Sequence, residues 1–496
     1  MTGRGWRGWV VGIVGALLLA VCPQALAASA PSGTSSPALA APFSGWHVRV
    51  ERGTDAHVQY VTFDSAVLHR RATMRVVLPD RYATTTQPLP VAYYLHGTTR
   101  IGTSPVLDLL FDRLAAGGEN VGYPFGPGSA HNEASYFAAD AGKLQFVVVS
   151  PDAAPTPWCE HCAWVDGRYG AGVNAETHLY QEVLPLTQAL YRVRTDRAGR
   201  GIIGASMGAA GSLIQATRHP DLFSVVAALS PPVDYLYDPP YADLLWALYL
   251  REQGYSPPKL FPIATRAINP VDLLSNLRGE GIDAVITVGE GCVSGAGKGE
   301  CAKAGFTDQP IDGFQELLIR HQTDLWVPRA IAAGVPISYI TYDGVHFVVN
   351  HDVFDRYLLD RMNHDFAAGA PVPASATFRS ADPDFSFWGW QVDVHRSNQE
   401  FVTVDARPDG TRFAIAGSGT LELATPGAFV PGSRHLVTVA PSDAGRPTTS
   451  RRLVADASGR LHVTLDLGAR HPFDERALLT TAGLAPSPQT TVTVAG

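Results

Sequence analysis

The chain has 496 residues, of which 46% are hydrophobic and 17% charged, so it is neither disordered nor a single small module. The length divides into roughly two to four domains. With 38 basic against 46 acidic residues the formal charge is −8, which excludes a nucleic-acid partner held by phosphate neutralisation.

The chain opens with a basic start (Arg4, Arg7), an apolar stretch from Trp9 to Val21 and a small-residue exit at Ala25-Leu26-Ala27. This is the pattern of a secretory signal over 1–27. The apolar stretch falls short of the ~20 residues a bilayer requires, so export is expected and stable membrane insertion is not. Residues 28–43, rich in Ala, Ser and Pro, are expected to form a flexible leader. Export leaves Cys159, Cys162, Cys292 and Cys301 in an oxidising compartment, where three pairings are possible. The near-neighbour pairing joins Cys159 to Cys162 in WCEHC and Cys292 to Cys301 across CVSGAGKGEC. A redox C-x-x-C would open a helix after a strand, whereas this one sits in a Pro-rich excursion, so a structural disulfide is expected and neither a redox centre nor a metal site.

Over 44–366, strand-length apolar runs alternate with helical patterns. The runs 58–64, 72–78, 91–96, 146–150, 200–205, 224–230, 284–288 and 337–342 read as strands, and 176–191, 207–219 and 316–333 as helices. Several strands are apolar on both faces, which predicts an α/β domain built on a doubly wound, mostly parallel sheet. Residues 367–377 read as a linker. From 378 to 496 short alternating runs (385–394, 401–404, 421–425, 434–439, 461–467, 490–494) predict an all-β sandwich. Trp388 and Trp390 could stack on a sugar, but paired aromatics of this kind more often serve packing.

The sharpest local signal is Gly204-Ala205-Ser206-Met207-Gly208 between a strand and a helix, the G-x-S-x-G nucleophile elbow of the α/β-hydrolase fold. Serine needs a base, itself oriented by an acid, and in that fold the chain order is Ser, acid, His. His346 follows the last core strand in a glycine-containing loop; His351 is the near competitor, and His96 and His321 have blander positional readings. For the acid, Glu290 follows the penultimate strand and Glu316 opens a helix, and spacing leaves both open. An oxyanion hole needs two backbone N–H groups, assigned to Met207 after the nucleophile and Thr98 in the His96-Gly97-Thr98 turn. Tyr235, Tyr237, Tyr241, Leu244, Leu245, Trp246 and Tyr249, within 235–275, suggest an apolar acyl or aryl site.

YYLHGTTR at 93–100, WCEHC followed by ETHLYQEVLP, RGIIGASMG running into RHPDLFSVVAALS, and GVPISYITYDGVHF together resemble an esterase family. It includes esterase D, feruloyl esterases, enterochelin esterases and the secreted trehalose mycolyltransferases, and the likeness covers about 46–362. The mycolyltransferases place their acid in an F-x-E-x-L pattern ahead of the loop histidine, with a Gly-Val-Pro between. Phe314-Gln315-Glu316-Leu317-Leu318, Gly334-Val335-Pro336 and His346 match that pattern, so the resemblance implies Glu316 as the acid. His96 and the segment Phe347-Val348-Val349-Asn350-His351 depart from it, which removes the matched sugar-binding features. The expectation is a secreted serine esterase without metal or organic cofactor, acting on a cell-wall, polysaccharide or lipid ester. Acyl transfer to a sugar or lipid is the alternative, and a non-catalytic surface-binding role on the same fold is the more distant one.

Overall fold

A strand that is apolar on both faces must be covered on both, and the first two thirds of the chain meet this demand with one twisted sheet. The computed structural model describes residues 34–35, 39–53, 55–98, 137–138, 140–151, 159, 161–237, 239–257, 260–291, 309–344, 346, 353–475 and 484–496. Among these, ten strands form the sheet: β1 (Thr34–Ser35), β2 (Arg49–Arg52), β3 (Val58–Ser65), β4 (Arg70–Val77), β5 (Val91–Leu95), β6 (Val147–Ser150), β7 (Arg200–Ala205), β8 (Val225–Leu229), β9 (Asp283–Gly289) and β10 (Ile337–Tyr342). Their spatial order is β1-β2-β3-β4-β6-β5-β7-β8-β9-β10. The strands from β1 to β4 pair antiparallel, as does β4 with β6, and all pairs from β6 to β10 are parallel.

Alternation along the parallel strands feeds two cores. Tyr93, Leu95, Ile202, Val226 and Ile286 point to one face, and Ala92, Tyr94, Ile203, Ala227 and Val285 to the other. The first face is covered by a helical run over 175–190 and by helix α1 (Met207–Arg218), through Leu179, Val183, Leu213 and Ile214. The second is covered by Phe354, Leu358, Met362 and Phe366. The order turns at β5, with β6 on one side and β7 on the other. In open α/β sheets this opens a crevice at the carboxyl ends of the strands. Leu95 pairs with Gly204, so β5 and β7 end level, and the turns after them meet in that crevice.

The C-terminal unit, joined after a helix that ends at Ala368, is all β. One sheet holds β11 (Ala376–Ser380), β14 (Val402–Ala406), β15 (Arg412–Ala416), β20 (Gln489–Ala495), β17 (Arg434–Pro441) and β18 (Thr449–Val454). The other holds β12 (Asp384–Phe387), β13 (Trp390–His395), β16 (Thr420–Ala424) and β19 (His462–Asp466). Their inner faces share one core, where Trp390 meets Phe413 edge-on at 4.8 Å and Phe378 stacks on Phe387 at 4.6 Å. Reciprocal bonds at 2.9 Å between Asn276 and the Arg379 backbone, and Arg218 against Asp382 at 2.5 Å, tie this unit to the first. A cavity of about 560 Å³ opens between the two, with Glu176, Arg218 and His219 on one side and Asp393, Glu422 and His462 on the other.

Several expectations are corrected. Residues 28–43 are not leader throughout: β1 pairs with β2, and Phe43 packs edge-on against Trp46 at 5.0 Å. The linker is shorter than 367–377, because β11 already includes Ala376 and Thr377. Residues 385–394 are not one strand but a hairpin, with Trp388 and Gly389 at positive φ in its turn. Trp388 there donates to Glu280 at 2.7 Å across the interface, and Trp390 is core. Strands β15 and β18 were not expected; β18 (TSRRLV) is a polar, mostly exposed edge with no apolar alternation to reveal it. The signal segment 1–27, the Cys292–Cys301 pair and His351 lie outside the described residues. Among the described residues no helix is long and apolar enough to cross a membrane.

Candidate active site

Strand β7 passes into α1 through Ser206, whose φ of 55° and ψ of −120° lie outside the regions open to ordinary L-residues. Holding such a backbone costs on the order of 1–3 kcal/mol, which the surroundings offset. The Ser206 N–H donates to the Leu229 carbonyl at 2.9 Å, and its own carbonyl accepts the N–H groups of Ala209 and Ala210. The flanking glycines are sterically required. A Cβ on Gly204 would lie 1.9 Å from the Gly208 carbonyl oxygen, and one on Gly208 would lie 2.0 Å from that of Leu95.

His346 Nε2 is 2.7 Å from Ser206 Oγ, and its Nδ1 is 2.7 Å from Glu316 Oε2. The imidazole and the carboxylate are both fully buried. Glu316 projects from helix α2 (Gln309–Ala332), and its other oxygen accepts the Ser230 hydroxyl at 2.7 Å and the Gly289 N–H. With its acceptors so engaged, the carboxylate holds the imidazole with Nδ1–H toward Glu316 and the Nε2 lone pair toward the serine hydroxyl.

The structure brings Glu316, not Glu290, to the imidazole. At the end of β9 the backbone of Gly289 faces inward, whereas the Glu290 carboxylate is 38% exposed and lies 3.8 Å from Arg320. Gly289 must lack a side chain, since a Cβ there would meet the Gly344 carbonyl oxygen at 2.5 Å and Glu316 Oε1 at 3.0 Å. Ser230 and Gly289 were not singled out in the sequence. Their signal was positional: each stands at the carboxyl end of a central strand, facing the same crevice. His321 lies elsewhere, its ring bonded to the Tyr237 hydroxyl at 2.9 Å.

Thr98 and Met207 are buried side by side, with Thr98 Oγ1 3.9 Å from Met207 Sδ. Met207 is the first residue of α1, so its N–H has no intrahelical acceptor. The loop carrying Thr98 is pinned from beneath. The Trp164 indole N–H donates to the His96 carbonyl at 3.0 Å, and the Trp164 carbonyl accepts from Gln215 on α1 at 2.6 Å. Trp164 follows a disulfide between Cys159 and Cys162, and its N–H donates to Cys162 Sγ at 3.3 Å. Trp164, two residues beyond the Cys159–Cys162 disulfide, therefore braces the loop carrying Thr98, a part the sequence did not assign to it. Of the aromatic stretch, Tyr235, Tyr241, Leu245 and Tyr249 are buried in the core of the first face, while Leu244 is exposed.

Residues 65–255 match a family model described as "Putative esterase". A Mycobacterium tuberculosis H37Rv protein named Esterase Rv1288 is 25% identical over 187 residues, 37% of this chain and 34% of the relative, so the chain spans about a third of that relative's length. Among solved structures, a ferulic acid esterase aligns at 20% identity and a TM-score of 0.37, covering 62% of this chain and 98% of that one. An S-formylglutathione hydrolase from Agrobacterium tumefaciens aligns at 15% identity and 0.40, covering 64% and 98%. MPT51 (FbpC1) of Mycobacterium tuberculosis aligns at 13% and 0.41, covering 61% and 96%.

Proposed function

We propose that this chain is a secreted serine ester hydrolase of the α/β-hydrolase type, with Ser206 as nucleophile, His346 as general base and Glu316 as the acid that orients it. The observation that carries this reading is the unbroken line of 2.7 Å contacts from Glu316 Oε2 through His346 to Ser206 Oγ, buried at the carboxyl ends of the central strands. The esterase family match over 65–255, which includes the elbow, supports the reaction class.

In the proposed reaction His346 Nε2 takes the Ser206 proton as Oγ attacks an ester carbonyl. The Glu316 carboxylate stabilises the imidazolium that forms, and the N–H groups of Thr98 and Met207 receive the charge on the carbonyl oxygen. The imidazolium then protonates the departing alkoxide, and water activated by the same nitrogen releases the acyl group. Export through residues 1–27 belongs to the same proposal, and the Cys159–Cys162 disulfide supports an oxidising compartment. The test is Ser206→Ala, assayed on p-nitrophenyl esters of increasing chain length and with a fluorophosphonate probe. Activity falls by about 10⁴- to 10⁶-fold and labelling disappears; retained activity, with label on another serine, overturns the reading.

A further inference from the structure

Gln253 is buried, and its amide is spent on a loop 80 to 91 residues earlier in the chain. Its Nε2 donates to the Val165 carbonyl at 2.7 Å and the Val173 carbonyl at 3.0 Å, with the Cys162 carbonyl 3.3 Å away, and its Oε1 accepts the Val173 N–H at 2.9 Å. Its own carbonyl accepts the Arg168 N–H at 2.8 Å. Because the Val173 N–H can only donate, the amide has one orientation, with its NH₂ turned to the loop carbonyls. The loop makes room for it: Gly172 has a φ of 64°, and a Cβ there would fall on Gln253 Oε1. The segment that carries Gln253 is itself closed. It follows a π turn at Trp246–Leu250, the Tyr255 N–H donates to the Leu250 carbonyl at 3.0 Å, and the Trp246 indole donates to the Tyr255 carbonyl at 2.8 Å. Gln253 therefore grips the loop from a fixed base.

The gripped loop holds Trp164. Ala163 and Trp164 have φ of 49° and 58°, a backbone region that L-residues rarely adopt, so local preference alone does not keep the indole in place. The Cys162 and Val165 carbonyls, which face the Gln253 amide, flank these two residues on either side. The indole in turn donates to the carbonyl of His96, two residues before Thr98. We infer that Gln253 is a positioning residue for the oxyanion hole: by fixing the loop on both sides of Trp164 it sets, through the indole, where the Thr98 N–H lies. An oxyanion donor works only when it is already aimed at the place where charge develops. A loosened loop therefore raises the barrier to reaction without weakening the binding of the ester.

The inference rests on the ester-hydrolase reading, and the experiment separates the two. Wild type, Ser206→Ala, Gln253→Ala, Trp164→Phe and the Gln253→Ala/Trp164→Phe double variant are compared on p-nitrophenyl acetate, with Asn276→Ala as the control. The Asn276 amide makes bonds of the same kind at 2.9 Å, to the Thr217 and Arg379 carbonyls and from the Arg379 N–H, at the junction with the C-terminal unit. Gln253→Ala is expected to lower kcat about tenfold, a fraction of the ~10²-fold that a 1 Å misplacement can cost, with KM moving less than twofold. Asn276→Ala should lower the melting temperature and leave kcat within twofold of wild type. Because Gln253 acts through Trp164, the double variant should lose no more than threefold beyond the larger single loss, where independent effects of about tenfold each would multiply to about 100-fold. Four results each overturn the inference while leaving the esterase reading intact: a Gln253→Ala kcat within twofold of wild type, a loss confined to KM, an equal loss in Asn276→Ala, or a double-variant loss beyond that threefold limit. Absence of Ser206-dependent hydrolysis in wild type overturns the esterase reading itself. Should Gln253→Ala lose its cooperative melting transition, Gln253→Glu takes its place. Its carboxyl can donate to the Val165 carbonyl only when protonated, so its kcat relative to wild type at the same pH should rise at least fivefold from about pH 8 to about pH 6, and a ratio independent of pH refutes the role.

Discussion

Replacing Glu316 by glutamine tests the site through its hydrogen-bond arithmetic. The carboxylate accepts from three donors: His346 Nδ1, the Ser230 hydroxyl and the Gly289 N–H. Glutamine supplies one accepting oxygen and one donating NH₂. The Ser230 hydroxyl can rotate and accept, but the Gly289 N–H is fixed by the backbone and cannot, so the amide oxygen must occupy the Oε1 position. The NH₂ then faces His346 Nδ1 across the 2.7 Å contact and forces that nitrogen to accept. The imidazole carries its proton on Nε2 instead, opposite Ser206 Oγ, and can no longer take the serine proton. The expected loss is about 10⁴-fold in kcat, or about 5 kcal/mol of barrier, with near-isosteric packing and an unchanged fold. The assay is initial-rate hydrolysis of p-nitrophenyl acetate beside a thermal melt, with Glu290→Gln as the paired control. Glu290, half in solvent beside Arg320, should cost less than threefold. A Glu316→Gln loss under tenfold, or a larger loss from Glu290→Gln, refutes the reasoning.

Gly208→Ala should destabilise the protein by about 3 kcal/mol in chemical denaturation and abolish activity, because its Cβ would lie 2.0 Å from the Leu95 carbonyl oxygen. Trp164→Phe removes the indole donor to the His96 carbonyl, so kcat should fall roughly tenfold with the melting temperature lowered by a few degrees; an unchanged kcat would show that the brace does not position Thr98. Glu280, raised to about 7 by burial against the lowering effects of the Trp388 hydrogen bond and Arg197, gives a pH signature. The unfolded carboxyl ionises near its ordinary value of 4.5 and the folded one only near 7, so stability declines as pH rises between them, by roughly 1–3 kcal/mol from this group. Glu280→Gln should flatten that part of the stability profile in denaturation titrations from pH 4 to 8, and an unchanged slope assigns it elsewhere.

The features legible in the sequence are those that short-range sterics and periodicity impose. Runs apolar on both faces announce buried parallel strands, and the bounds of β5, β7, β9 and β10 fall within a residue or two of their apolar runs. The elbow at 204–208 is local for the same reason: a sharp strand-to-helix turn leaves no room for side chains beside Ser206, so glycine must flank it. Polar edges such as β18 carry no such pattern, because a strand exposed on both faces has no burial to encode.

What the sequence left open was anything that depends on which strand lies beside which. Spacing along the chain leaves Glu290 and Glu316 both open as acids, and the choice of Glu316 came from the family resemblance. Only the packing of α2 against β9 turns Glu316 inward and leaves Glu290 toward solvent, and only the neighbouring ends of β8 and β9 supply Ser230 and Gly289 to its carboxylate. Trp164 reaches the loop carrying Thr98 from a segment about 40 residues before Ser206, and nothing in the sequence around it marked that role. Hydrogen bonds have no sequence period: they form between groups that the sheet order brings together, and that order is a property of the whole core.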